Sequence, residues 1–378
     1  MTIAQFLYKD NNWAELQNQG IEQPNFVLCF GQRELIEKGP QLDFIRSKYP
    51  DTTILSASTA GEISNESVEE GTIVATAVQF KSSSVKTCSV NLKDFKNSYV
   101  AGLELIKDFN KEQLKFVFVI SDGNLVNGSE LVEGINEILG KNIPVAGGLA
   151  GDSANFNKTI VGLNDDLNEG NIVAMGFYGE KLQVGFGSKG GWGQFGPERT
   201  ITKSHDNILE EIDDRNALDL YKLYLGDEAK DLKRSSFYFP LSIIDGQTDN
   251  AIVRTILSID EEKKTMTFAG NMPKGSKVRL MKSNTDNLLQ AATEATANSI
   301  ENLEEENILS ILISCVGRKE VLNKRLEEEL EAAHEGIQNK KPTFTGFYSY
   351  GEIAPFEGFL KCQLHNQTMT VTTFTEKE

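Results

Sequence analysis

Two short stretches decide how this chain is read: Ser58-Thr59-Ala60-Gly61-Glu62-Ile63 and Tyr348-Ser349-Tyr350-Gly351-Glu352-Ile353. Each closes a β-prone run, 52–57 and 342–347, with a glycine–acid step. A third candidate, Gly148-Leu149-Ala150-Gly151-Asp152, follows the run 143–147. Upstream, each copy opens with an apolar run: FVLCF (26–30), FVFVI (116–120) and ILSILIS (308–314). Their length and continuous apolarity are those of strands buried on both faces. Amphipathic helical spacing comes next. Leu322, Leu326, Leu330, Ala333 and Ile337 draw one stripe; Leu131, Ile135 and Ile138 draw another, with Ser129 expected as its N-cap; Leu42, Ile45 and Tyr49 follow a Pro40 suited to a first helical turn. Past the glycine the copies continue alike, in Glu70-Gly71-Thr72, Glu169-Gly170-Asn171 and Glu357-Gly358-Phe359. Each copy therefore reads as strand, helix, strand, glycine–acid turn, strand, with a right-handed crossover that makes its first two strands parallel.

The segments between copies are β-rich (72–80, 84–90, 172–177, 182–187). A distinct middle region begins near Thr200. A helix led by Asp213-Asp214 carries Ala217, Leu220, Tyr221 and Tyr224 and is expected to end at Gly226; strands are expected at 251–259, 264–269 and 277–281, and a helix at 286–300. The fold class is mixed α/β, with repeated strand–helix–strand units in two sheet-based domains. The expected division is an N-terminal lead-in at 1–25, a first domain at 26–215 and a second at 216–378.

Composition narrows the function. The 378 residues carry 38 basic against 55 acidic side chains, a net charge of −17, with no basic stripe to meet nucleic acid or an anionic membrane. No run approaches the roughly 20 apolar residues of a membrane span, and the N-terminus lacks a secretory pattern, so a cytoplasmic location is expected. Cys29, Cys88, Cys315 and Cys362 lie far apart and only His205, His334 and His365 are present, which argues against a zinc site or a disulfide framework.

Several motifs together resemble the FIST family, a bacterial sensory domain with N-terminal and C-terminal halves. They are STAGEI (58–63), PVAGGLAGD (144–152), GWGQFGP (191–197), the segment 207–226, SCVGR (314–318), GFYSYGEIAP (346–355) and LHNQTMTV (364–371). The resemblance covers most of the chain and implies a sensor of small ligands, amino acids among them, acting in signal transduction without catalysis. It also implies an output partner such as a histidine kinase, a chemoreceptor or a cyclase.

Candidate ligand contacts follow from the residues themselves. Ser314-Cys315-Val316-Gly317-Arg318 ends a buried strand and opens a helix, where the Arg318 fork and backbone N–H groups suit a ligand carboxylate. Tyr348 and Tyr350 flank Gly351-Glu352 and offer aromatic walls, with Trp192 as a further wall or lid. Glu352, Glu62 or Asp122 would take the cationic end of a zwitterion. A glycine–acid step common to three copies is more economically a shared turn than three identical sites, so features peculiar to one copy carry more weight.

Two other classes compete. Within the resembled family some members bind haem and sense nitric oxide; no cofactor is expected here, and His205, His334, His365 and Cys315 are the donors a haem would need. An enzyme would use Cys315 as nucleophile or pair Glu62 with Glu352. No phosphate loop, serine elbow or zinc motif supports catalysis.

Overall fold

The computed structural model describes residues 1–37, 40–153, 155–244, 251–337, 340–355 and 361–377. Glu357, Gly358 and Phe359, expected from the sequence as the third copy of the downstream similarity, lie outside the described residues; the place of Gly71-Thr72 is held in repeat 3 by Gln367-Thr368, since Thr368 donates to Glu352 as Thr72 does to Glu62. The three repeats build three sheets. Repeat 1 comprises β1 (Thr2–Lys9), β2 (Asn12–Asn18), β3 (Phe26–Gly31), helices α1 (Arg33–Glu37) and α2 (Asp43–Lys48), β4 (Thr53–Ser58), β5 (Glu62–Ile63), β6 (Val68–Glu69) and β7 (Ile73–Gln79). Repeat 2 comprises β8 (Ser84–Asn91), α3 (Ser98–Ile106), β9 (Leu114–Ser121), α4 (Gly128–Leu139), β10 (Val145–Leu149), β11 (Val161–Leu163), β12 (Asp166–Asn168) and β13 (Asn171–Tyr178).

Repeat 3 opens with β14 (Leu182–Lys189) and is then interrupted by an inserted domain: β15 (Gly193–His205), β16 (Ile208–Ile212), β17 (Arg215–Asn216), α5 (Ala217–Leu225), α6 (Leu232–Tyr238), β18 (Leu241–Ile244), β19 (Ile252–Arg254), β20 (Ile256–Asp260), β21 (Thr265–Phe268) and β22 (Lys277–Lys282). The repeat resumes with α7 (Thr285–Ile300), β23 (Asn307–Cys315), α8 (Val316–Leu322), α9 (Leu326–Gly336), β24 (Lys341–Ser349), β25 (Gly351–Pro355), β26 (Cys362–His365) and β27 (Met369–Glu376).

The expected parallel pairs are present as β3–β4, β9–β10 and β23–β24, each flanked by an antiparallel β7, β13 or β27. The strands after each turn leave their own sheet. β5 pairs with β24, β11 with β4 and β25 with β10, so repeat 1 lends to 3, repeat 2 to 1 and repeat 3 to 2. Three equivalent hydrogen bonds close this cycle: Ala60 N donates to Tyr348 O (2.8 Å), Gly151 N to Ser58 O (2.9 Å) and Tyr350 N to Leu149 O (3.2 Å). The inner faces share one aromatic core, in which Phe177 meets Phe26, Phe116 and Phe374 at centroid distances of 5.5, 5.0 and 5.6 Å. Helices cover the outer faces. On repeat 2 they approach so closely that a Cβ on Gly102 would lie 2.5 Å from Leu131 O and one on Gly134 2.2 Å from Tyr99 O.

Several expectations are refined. Asn127, not Ser129, caps α4, accepting the N–H groups of Ser129 and Glu130. The stripe over 322–337 belongs to two helices, because Asn323 takes a left-handed turn at φ 51°. Residues 2–18 form the edge hairpin of the first sheet, held by Trp13 Nε1 donating to Gln41 O (2.9 Å). The inserted domain has its own core around Ile201, Tyr221, Met266 and Phe268, and β23, β24 and β27 belong with the repeats rather than with it. Among the described residues no helix is long and apolar enough to cross a membrane.

Candidate functional site

The glycine–acid turns come first, since register decides which carboxylates are equivalent. Glu62 stands opposite Phe347 and Glu352 opposite Gly148; in the remaining exchange the residue in that place, opposite Ala57, is Val161. Asp152 is therefore not the third acid. It sits in an inserted loop, where it accepts from Arg33 Nε (3.4 Å) and Lys158 N (3.3 Å).

The two true equivalents are locked alike. Glu62 accepts the Thr59 hydroxyl on one oxygen and Thr72 N and Oγ1 (3.2 and 2.8 Å) on the other. Glu352 accepts the Ser349 hydroxyl (2.7 Å), then Thr368 N and Oγ1 (3.2 and 2.9 Å). Both are fully enclosed, and burial pushes each carboxyl up to about 7 against the pull of those hydrogen bonds. Asp122 closes another turn by accepting Asn124 N, Leu125 N and Gly170 N (2.8, 2.6 and 3.1 Å).

The Arg318 fork does not open onto a hollow. Its side chain is 0% exposed. Nε and Nη2 donate to Glu329 Oε1 (2.9 and 2.6 Å), Nη1 to Gly190 O (2.8 Å) and Nη2 also to Leu288 O (2.9 Å). The carboxylate that this arginine was expected to bind is supplied by the protein itself. Glu329 Oε2 takes the Ser314 hydroxyl (3.1 Å) and the Tyr348 hydroxyl (2.6 Å), so three candidate residues converge on one buried anion. Burial, and after it the neighbouring Glu329 carboxylate, raise the Tyr348 phenol well above its ordinary value. Sequence reasoning missed Glu329; its signal was an acid on the stripe of Leu326, Leu330 and Ala333, eleven residues beyond an arginine at a strand end.

Gly190 ties this network to the inserted domain. Residues 190–192 and 283–284 are the two strands of chain joining insert to body, pinned by Ser283 Oγ donating to Gly191 O (2.6 Å). Trp192 seals the same junction through Nε1 to Gln367 O (2.8 Å). Arg318 is thus a clamp at the root of the insert.

Cys315 is buried, and burial together with the neighbouring Glu352 raises its thiol far from the reactive range, contrary to the lowered thiol a nucleophile needs. Glu62 and Glu352 are each enclosed by their own hydroxyl partners in different sheets. The four candidate haem donors are scattered. His205 is exposed beside Asp206; His334 lies 3.1 Å from Asn65 O on the Phe344 ring; His365 is buried with Nε2 3.3 Å from Ala354 O. Burial lowers His365 to about 4. Of the four, His365 borders a cleft of about 310 Å³ lined also by Trp192 and Met281.

One residue beyond Arg318, Lys319 points the other way. It opens onto a cleft of about 490 Å³ between α8 of the body and α6 of the insert. Lys319 Nζ donates to Ala60 O (2.5 Å), pairs with Glu70 (2.6 Å) and stands 5.9 Å from the Tyr348 ring centroid, against the Gly61 turn. Across the cleft are Lys233, Arg234, Asp231, Phe237 and Tyr238, with Glu320 beside Lys319. Arg234 lies over the Tyr238 ring at 5.0 Å, and among the described residues it makes no ion pair. Three acids and three bases thus face a hollow with two aromatic walls.

This geometry defines a class: a three-repeat α/β body carrying an inserted β domain, with a ligand-sized cleft on the seam. The FIST N domain matches residues 25–215 and the FIST C domain residues 217–355, and the chain belongs to the FIST family, whose domains sense small ligands in signalling proteins. No curated protein matches. Among solved structures, a cyanuric acid hydrolase from A. caulinodans shares 8% identity over 78% of this chain and 100% of its own, at a TM-score of 0.19, too low to carry an argument.

Proposed function

We propose that this protein senses a zwitterionic small molecule of the amino-acid class in the cleft between α6 and α8. The observation that carries the reading is the balanced lining: a net-neutral set of Lys233, Arg234 and Lys319 with Glu70, Asp231 and Glu320. A zwitterion loses the hydration of both ends on entering a cleft, and only a site with both signs of charge compensates both. Arg234 and Lys319 receive the carboxylate, Glu70 or Glu320 the ammonium, and Phe237 and Tyr238 enclose the side chain. Arg318 keeps the insert root in place rather than touching ligand.

Because the two walls belong to different units joined at 190–192 and 283–284, ligand draws the insert toward the body. It shifts that equilibrium by its difference in affinity for the open and closed arrangements. The altered seam is read by a cytoplasmic partner such as a histidine kinase, a chemoreceptor or a cyclase. A calorimetric screen of the amino acids against wild type, Arg234→Ala and Lys319→Met tests this. At least one amino acid should bind, and each variant should weaken it about tenfold or more. Binding unaffected by both variants, or no binding at all, rejects the reading.

A further inference from the structure

A second cleft, of about 440 Å³, lies where the parallel strands β9 and β10 end, the position at which α/β sheets commonly receive ligands. From this cleft we infer a second binding site, for a neutral planar ring bearing a carboxamide-like donor and acceptor. The inference goes beyond the zwitterion reading and stands on separate residues. One wall is the loop after β9 with Tyr350 and Phe156; the other is the inserted domain, with Asn207, Leu257 and Phe268.

Three observations select the ligand class. First, no lining residue carries a charge: the polar groups are amides and hydroxyls, and the nearby Asp122 carboxylate is spent on three backbone N–H groups. The Arg254 guanidinium lies behind Gly270 and gives Nη1 to Leu364 O (2.8 Å), so an ion entering here gains no counter-charge from the lining itself for the hydration it loses. Second, the lips are apolar. Leu125 on the body and Leu257 on the insert are 58% and 41% exposed, two of the five large hydrophobic side chains left exposed among the described residues. Phe156 and Tyr350 stack behind them, centroids 4.4 Å apart and planes within 20°. Phe156 holds a left-handed φ of 50°, a strained conformation for an aromatic residue, latched by its N–H donating to the Tyr350 hydroxyl (3.0 Å).

Third, the amides are unequally employed. Asn127 is consumed, capping α4 with its oxygen and reaching Asn271 with its nitrogen, and Asn207 Nδ2 is given to Phe268 O. That leaves Asn207 Oδ1 as an acceptor. Asn124, exposed at the rim, offers a donor and an acceptor side by side, the complement of a carboxamide.

The test titrates the full chain with nicotinamide and nicotinate, which share a ring and differ by a charge, followed by calorimetry and by ligand-observed NMR. Nicotinamide should bind with a dissociation constant near or below about 1 mM, and nicotinate about tenfold more weakly or worse. Leu125→Lys and Asn124→Ala, both at exposed positions and so compatible with folding, should each weaken nicotinamide about fivefold or more. An unchanged thermal midpoint in both variants shows that the fold is retained. Equal binding of the two probes, no effect of either variant, or no nicotinamide binding up to about 10 mM overturns the inference.

Discussion

Arg318→Ala offers the sharpest separation between a ligand contact and an internal clamp. In the folded protein the guanidinium gives two charge-assisted hydrogen bonds to Glu329 and one each to Gly190 O and Leu288 O, all out of water. Removing it leaves Glu329 as a carboxylate, 1% exposed, with only the Ser314 and Tyr348 hydroxyls as donors. Breaking a buried pair on one side costs about 3–5 kcal/mol, because the surviving charge has no compensation. The two stranded carbonyls add to this, though not additively with the ion pair. For a chain of this length unfolding as a unit, a loss of about 4 kcal/mol lowers the thermal midpoint by about 5 °C. Urea titration and calorimetric scanning measure it, and a double Arg318→Met, Glu329→Leu variant should recover part of the loss by removing both charges. A single variant that loses less than about 1 kcal/mol while abolishing ligand binding would refute the clamp and return Arg318 to the ligand.

Other outcomes follow from the turns and the chain ends. Glu62 and Glu352 titrate at about 7 in the folded protein against 4.5 ordinarily, so the folded state holds protons that the unfolded state releases. Their contribution is fully present below about pH 4.5 and is lost as pH rises through 7, by about 3 kcal/mol each; Glu62→Gln should flatten the stability profile in that window, and an unchanged slope contradicts the assignment. Gln367 occupies, at φ 61°, the place held by Gly71 (76°) and Gly170 (74°) in the other repeats. The Gln367 side chain is buried against Gly317 with Nε2 donating to Phe237 O (3.4 Å), so the clean test of the turn is Gly170→Ala, which should lower urea stability by up to about 1 kcal/mol; an unchanged midpoint would contradict the need for a left-handed residue there. Glu376 is buried but accepts Lys81 N, Ser82 N and Ser83 N (2.6, 2.8 and 2.7 Å), and those bonds outweigh burial to hold it at about 2. Glu376→Gln should cost about 2 kcal/mol at neutral pH, and in wild type this contribution should fade only as pH falls from about 4.5 through 2.

The repeats were legible because each first strand is sheathed on both faces, which demands an uninterrupted apolar run such as FVFVI. The turns were legible because the glycine and acid are fixed by local hydrogen bonding. What escaped was non-local. The similarity of GLAGD to STAGE hides a longer loop in repeat 2, and only pairing with β4 reveals that Val161 replaces the acid. The choice between Arg318 and Lys319 also escaped, since neighbouring helix positions diverge by about 100° and nothing in SCVGRK says which one meets Glu329. The site of the insertion was likewise hidden: the glycines of GSKGGWG were visible, but their role as the root of a domain depends on Ser283 and Arg318 far along the chain.

The central claim is that ligand closes the seam between α6 and α8. Spin labels on Lys233→Cys and Asn323→Cys, exposed on opposite sides of the cleft, report that distance by pulsed electron resonance in a Cys88→Ser background. The distance should shorten and its distribution narrow when the binding amino acid is added at saturation. A distribution unmoved by an amino acid that calorimetry shows to be bound would contradict the account.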